Sequence, residues 1–176
     1  MKLIYAGIGS RETPFIVLKQ MYSIAQQLAP HWTLRSGHAD GADTAFEEGC
    51  IMAGGNMEIM LPWVGFNNAP NKDQYHVPNM TQELLDFANA FHPAWDKCSS
   101  GAKKMHARNA CQILGLYGDE PVDMVICWTK DGKRGGGTGQ ALRIAEYFNI
   151  PIFDLAVASA PKQLCQFVDS KMTKAA

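Results

Sequence analysis

The chain has 176 residues and a formal net charge of −1 at pH 7, with 16 Lys and Arg against 17 Asp and Glu. That length holds one domain with a proper core. The balanced charge excludes a protein that grips nucleic acid by net attraction alone, although a local basic face stays open. The five cysteines, Cys50, Cys98, Cys111, Cys127 and Cys165, are dispersed and form no Cys-x-x-Cys pair, which predicts a reduced, cytoplasmic chain. No apolar run reaches the roughly 20 residues of a membrane span, and the N-terminus reads as a strand rather than a secretory leader.

Residues 2–8 predict a short buried strand, which Gly7-Ile-Gly9-Ser10-Arg11 turns. Thr13 is the expected N-cap of a helix with Pro14 at its first position. Val17, Met21, Ile24, Ala25 and Leu28 recur at helical spacing, and Pro30 stops the run. Trp32-Thr-Leu34 predicts a second strand, residues 43–54 a helix closed by Gly54-Gly55, and Glu58–Leu61 a third strand ended by Pro62. The segment 62–80, rich in Asn, Pro and aromatics, reads as a long irregular loop of the functional kind. Helices are expected over 81–91 and about 102–115, a strand over 123–128, a helix over 139–148, a strand over 151–155 and a short helix over 161–170, with a loose tail after Lys171. This alternation predicts an α/β fold: a single Rossmann-like, doubly wound, mostly parallel sheet flanked by helices. With no repeat or linker, residues 1–176 read as one domain.

Sheets of this kind bind ligands beyond the carboxyl ends of their strands. Three glycine-bearing polar turns, 7–11, 35–43 and 132–139, follow predicted strands and are expected to converge there. The most informative is Arg134-Gly-Gly-Gly-Thr-Gly-Gln-Ala141. A glycine-rich strand-to-helix turn offers backbone N–H groups at the positive end of a helix dipole, where phosphate binds well; a flexible glycine hairpin is the bland alternative. Gly135, Gly136, Gly137, Thr138, Gly139 and Gln140 are therefore candidate binding residues. The turn lacks the Gly-Lys-Ser/Thr ending of a P-loop.

Gly9 would let the backbone approach a ligand, with Ser10 and Arg11 donating to phosphate; alone, this is also a tight turn with a surface arginine. Ser36-Gly37-His38-Ala39-Asp40-Gly41-Ala42-Asp43 crowds small residues and two carboxylates at a strand end. Asp40 or Asp43 would accept from ribose hydroxyls, while Asp43 has the alternative of capping the next helix. His38, Asp40 and Asp43 are too few for a closed metal site, so no metal is expected. Arg108 and Asn109, in the most basic segment, would hold a phosphate or stabilise developing charge. Among the aromatics Trp63, Phe66, Tyr75, Trp95 and Trp128, the loop pair Trp63 and Phe66 best suits stacking on a base, and Trp128 suits core packing. No nucleophile signature is present.

Three blocks resemble the SLOG superfamily, which includes the DNA-processing protein A (Smf) family and the LOG, "lysine decarboxylase-like", phosphoribohydrolases. Gly9-Ser10-Arg11 and Ser36-Gly37-x-Ala39-x-Gly41-Ala42-Asp43 are similar to the Gly-Ser-Arg and Ser-Gly-x-Ala-x-Gly-Ile-Asp motifs of the DNA-processing family. Arg108-Asn109 is similar to its Arg-Asn pair, and Met105-His-x-Arg108 to the Met-His-x-Arg element of the phosphoribohydrolases. Gly136-Gly-x-Gly139 resembles their phosphate turn, but Leu142-Arg143 stand where that family has glutamates. The short chain looks more like small stand-alone members, including phage-encoded ones.

Two functions follow from different classes. The first is a binder of a free nucleotide or nucleotide-derived small molecule, possessing no cofactor. The second is a nucleotide N-glycosidase in which Arg108 and a carboxylate, Asp43 or Glu47, carry the catalysis. Single-stranded DNA is a less favoured partner, a membrane is not expected, and the resemblance implies a homo-oligomer, formed through apolar surface of the 81–91 and 105–117 helices.

Overall fold

The computed structural model describes residues 2–175, with side chains through Thr173. Six strands run through it: β1 (Leu3–Gly7), β2 (Trp32–Ser36), β3 (Met57–Met60), β4 (Tyr75–His76), β5 (Met124–Cys127) and β6 (Ile152–Asp154). The helices are α1 (Phe15–Leu28), α2 (Ala42–Met52), α3 (Gln82–Ala90), α4 (Ser100–Leu114), α5 (Gly136–Tyr147) and α6 (Ala160–Ala175). The sheet order is β4-β3-β2-β1-β5-β6, and every pairing is parallel. The chain winds outward from β1 to β4, then returns to lay β5 on the other side of β1. This is the expected doubly wound, Rossmann-like architecture, with its switch point between β1 and β5.

Strand periodicity sorts the core into two faces. Leu3 and Tyr5 of β1 point to the side covered by α1, α2 and α6, where they join Met21, Leu34, Phe46 and Ile126. Ile4 and Ala6 point to the other side, where Ala110, Ile113, Leu142 and Ile144 of α4 and α5 close over them. Leu84, Phe87 and Phe91 pack against this second core. The apolar side of α3, one of the surfaces expected to serve self-association, is thus partly buried against this core.

A charged cluster interrupts the apolar core. Arg35 on β2 is fully buried. Its Nε and Nη2 donate to Glu58 Oε2 at 2.9 and 2.7 Å, and its Nη1 donates to the Glu120 carbonyl at 2.7 Å. Glu58 also pairs with Lys2. Burial alone would raise the Glu58 carboxyl, but Lys2 and Arg35 outweigh it and hold it below its ordinary range.

Four local expectations change. Thr13 does not cap α1: its hydroxyl donates back to the Ser10 carbonyl at 2.6 Å, and Pro14 takes the cap position without a side-chain bond. The turn after β1 therefore wins that hydroxyl. Helix α5 begins at Gly136, inside the glycine run. The 62–80 segment contains a 3₁₀ turn at Phe66–Asn68 and the strand β4. β4 exists because β3 has a free edge: the Ile59 and Leu61 amides donate to the Gln74 and His76 carbonyls, each at 2.7 Å. Helix α6 continues to Ala175, past the expected end. No helix among the described residues is long and apolar enough to cross a membrane.

Candidate functional site

A cavity of about 720 Å³ opens at the carboxyl ends of β1 and β5. Gly9, Ser10 and Arg11 line it from the turn after β1, and Trp128, Thr129 and Lys130 from the turn after β5. Gly135, Gly136, Gly137 and Thr138 contribute the start of α5, Arg108 and Asn109 come from α4, and Asp43 from the first turn of α2. The three turns converge as expected, at the switch point of the sheet.

The glycine turn is built for close approach. Gly135 caps α5 with no side-chain hydrogen bond, and no acidic residue lies in the first turn. The first amide taken by the helix is that of Gly139, which donates to the Gly135 carbonyl at 3.0 Å. The amides before it form the electropositive end of the helix. Asn109 Nδ2 donates to the Gly137 carbonyl at 3.3 Å and so ties α4 to the turn. Gly139 itself does not line the cavity. Any side chain there would run into the Arg134 carbonyl.

Arg108 lies beneath the cavity, 2% exposed. Its Nη1 donates to the Gly37 carbonyl and, at 2.9 Å, to the Met60 carbonyl. Its Nε has no protein partner. The guanidinium sits 5.5 Å from the Phe66 ring centroid. Gly37 is thus explained by Arg108 rather than by the cavity, since a Cβ at 37 would collide with the guanidinium. Burial pushes the Arg108 pKa down and the Asp43 charge opposes it; an arginine remains charged regardless.

Asp43 is 5% exposed and lines the cavity. Burial raises its carboxyl to about 6, with Arg108 opposing and Glu47 adding to the rise. The folded protein therefore binds a proton that the unfolded chain, with an ordinary Asp, releases near pH 4. The stability due to neutral Asp43 is fully present below that point and is lost as pH rises through about 6. The melting temperature of the wild type relative to Asp43→Asn should accordingly rise between pH 7 and pH 5; an unchanged difference would show that Asp43 ionises normally.

The other expected residues do structural work nearby. Ser36 Oγ donates to the Gly7 carbonyl at 2.6 Å and joins β1 to β2. Gly41, at φ +92°, lets the start of α2 pass against the backbone of Arg11. Asp40 is exposed and accepts from Asn67 Nδ2 at 2.9 Å, outside the cavity. Glu47 is withdrawn from it as well, accepting from the Tyr75 hydroxyl and facing His38 Nδ1 at 2.7 Å. Gln140 is fully buried between α3 and α4, donating to the Ala88 carbonyl at 2.9 Å and accepting from His106. His38, Asp40 and Asp43 do not gather into a metal-binding group among the described residues.

The aromatics redistribute. Trp63 packs edge-on against Phe66 at 5.3 Å, and neither lines the cavity. Phe66 instead supports Arg108. Trp128, expected in the core, packs against it and also forms cavity wall. Sequence reasoning missed Lys130 and Gln112 as lining residues, and named no side-chain role for Lys133 within the expected 132–139 turn. The 129–133 stretch carried a signal, namely polar residues directly after a predicted strand.

No family model matches the chain, and no curated protein matches it. Solved structures do. The chain is similar to the Moco carrier protein of Chlamydomonas rheinhardtii, at 17% identity and a TM-score of 0.54 over 97% of this chain and 86% of that one. DNA processing protein A from Helicobacter pylori, described for its single-stranded DNA binding mode, matches at 18% identity and a TM-score of 0.59, covering 93% of this chain and 72% of that one. The Streptococcus pneumoniae DNA processing protein A matches at 15% identity and a TM-score of 0.53, over 97% of this chain and 56% of that one. Identities this low show the fold alone, the Rossmann-like architecture described above.

Proposed function

We propose that the protein binds a nucleotide or nucleotide-derived molecule through its phosphate. The observation that carries this reading is the pairing of a buried arginine, its Nε lacking a protein partner, with an uncapped glycine-rich helix start across one cavity. The phosphate sits against the Gly135–Thr138 amides, with Arg108 below and Ser10 and Arg11 closing the other side. Asp43 faces the sugar. Its carboxyl accepts from the sugar hydroxyls. The ligand-carrying name of one structural neighbour and the DNA-binding of another are both compatible with a phosphate-bearing ligand.

Calorimetric titration with nucleoside mono-, di- and triphosphates tests this. At least one should bind saturably, and Arg11→Ala should weaken it by about 10-fold or more, the worth of a charged hydrogen bond. No saturable binding by any of them would sink the proposal. Oligonucleotides belong in the same experiment. Binding of single-stranded DNA in place of free nucleotide, falling steeply with salt, would favour the nucleic-acid reading.

A second reading rests on Asp43. It is the buried carboxylate that lines the cavity beside Arg108, so if the protein cleaves an N-glycosidic bond, Asp43 rather than Glu47 stabilises the sugar cation and activates water. Release of free base by the wild type but not by Asp43→Asn would establish it. Self-association is a separate proposal, answered by sedimentation.

A further inference from the structure

Outside the cavity, three metal-ligating side chains converge where the loop after α3 crosses α4. His92 and Cys98 come from the loop and His106 from the helix, and one ligand atom from each lies within 4.8 Å of the others. Cys98 Sγ is 3.8 Å from His92 Nε2. The two imidazole centroids are 4.2 Å apart. A tetrahedral zinc with bonds of about 2.3 Å to sulfur and 2.0–2.1 Å to nitrogen holds those atoms roughly 3.6 Å apart, so the sulfur and the His92 nitrogen already stand close to the required separation.

The hydrogen bonds behind the cluster fix one ligand's tautomer. The Ala88 carbonyl can only accept, so Gln140 must present its NH₂ there, at 2.9 Å. The Gln140 Oε1 is then the atom facing His106 Nδ1, also at 2.9 Å, and it requires the proton on Nδ1. The lone pair of His106 is left on Nε2. An imidazole oriented through its other nitrogen is the usual outer-shell arrangement of a metal-bound histidine. This gives the buried Gln140 a role that the phosphate turn does not. His92 Nδ1 accepts the Ala94 amide at 3.2 Å; coordination through Nε2 moves the His92 proton to Nδ1 and gives up that contact.

We infer that His92, Cys98 and His106 form a site for a borderline divalent cation, zinc by donor set, with a fourth position open to water or an added ligand. Cys98 binds as thiolate and its proton goes to solvent. The bound ion joins the 92–98 loop to α4 two residues from Arg108, and through Gln140 to α5. It would brace two of the helices that build the cavity, whatever that cavity binds.

Cobalt(II) titration of the reduced, full-length protein reads the site directly. One ion per chain should bind, with a thiolate-to-cobalt charge-transfer band and tetrahedral d–d bands, and zinc should displace it. Cys98→Ser should remove the charge-transfer band, and His92→Ala should lower affinity at least 10-fold, each in protein whose circular dichroism is unchanged. Cys165→Ser, which alters the exposed free thiol on α6, should leave the spectrum intact. The inference is overturned if folded wild type gives no charge-transfer band, if the band survives Cys98→Ser, or if Cys165→Ser abolishes it. None of these readouts depends on nucleotide binding.

Discussion

Arg108→Met should destabilise the protein by about 3–5 kcal/mol, the usual cost of removing one partner from a buried charged network, and should eliminate measurable nucleotide binding. The stability loss has three sources: the Gly37 and Met60 carbonyls lose their donor, Asp43 loses the charge that opposes its desolvation, and Phe66 loses the cation above it. Methionine fills much of the volume, so a void is not the main effect. Urea unfolding measures the first outcome. Arg108→Lys separates the second, because it keeps the charge without the planar fork. Binding weakened in Lys and absent in Met, both folded, is the expected series. A Met variant that unfolds with wild-type stability would mean that Arg108 is not held as described.

Gly139→Ala should have the opposite balance, a large loss of ligand affinity for a modest loss of stability. An alanine Cβ at 139 falls on the backbone carbonyl of Arg134, and backbone cannot rotate out of the way as a side chain can. The residues displaced, 134–136, are exposed and lie outside both cores, so the penalty should stay within the roughly 1–3 kcal/mol of overpacking. Yet those residues form the mouth of the glycine turn proposed to hold the phosphate. A 10- to 100-fold weaker nucleotide, from misplaced charged hydrogen bonds, is expected. Gly135→Ala is the control: its φ of −90° suits any residue and a Cβ there meets nothing within 4 Å. Equal effects at 135 and 139 would show that flexibility, not close approach, is what the glycines supply.

The sheet was legible in the sequence because its strands are short apolar runs bounded by glycine or proline, and because helical periodicity separates them. What escaped was whatever tertiary pairing decides. Two residues, Tyr75 and His76, became a strand only because β3 had an edge to offer. Thr13 obeyed the turn rather than the helix. The three turns were readable as neighbours from topology alone, but not which side chains in them face the cavity. Asp40 and Asp43 are equivalent on paper. The entry into α2 separates an exposed carboxylate bonded to Asn67, ahead of the helix, from a buried one in its first turn near Arg108. The His92–Cys98–His106 group had no local spacing to betray it, since its members meet through a loop crossing.

The buried Arg35 has a consequence for how the molecule fails. Arg35 and its partner Glu58 stand in register with Ala6 of β1, inside the sheet and outside the cavity lining, and Glu120 and Lys2 complete the cluster. Acid acts differently on the two groups. Protonating Asp43 relieves the desolvation of its charge, whereas protonating Glu58 takes away one of the two carboxylates that balance the buried Arg35. In falling pH the Arg35 cluster should loosen before the surroundings of Asp43 do, so that one domain carries two carboxyl groups with opposite responses to acid.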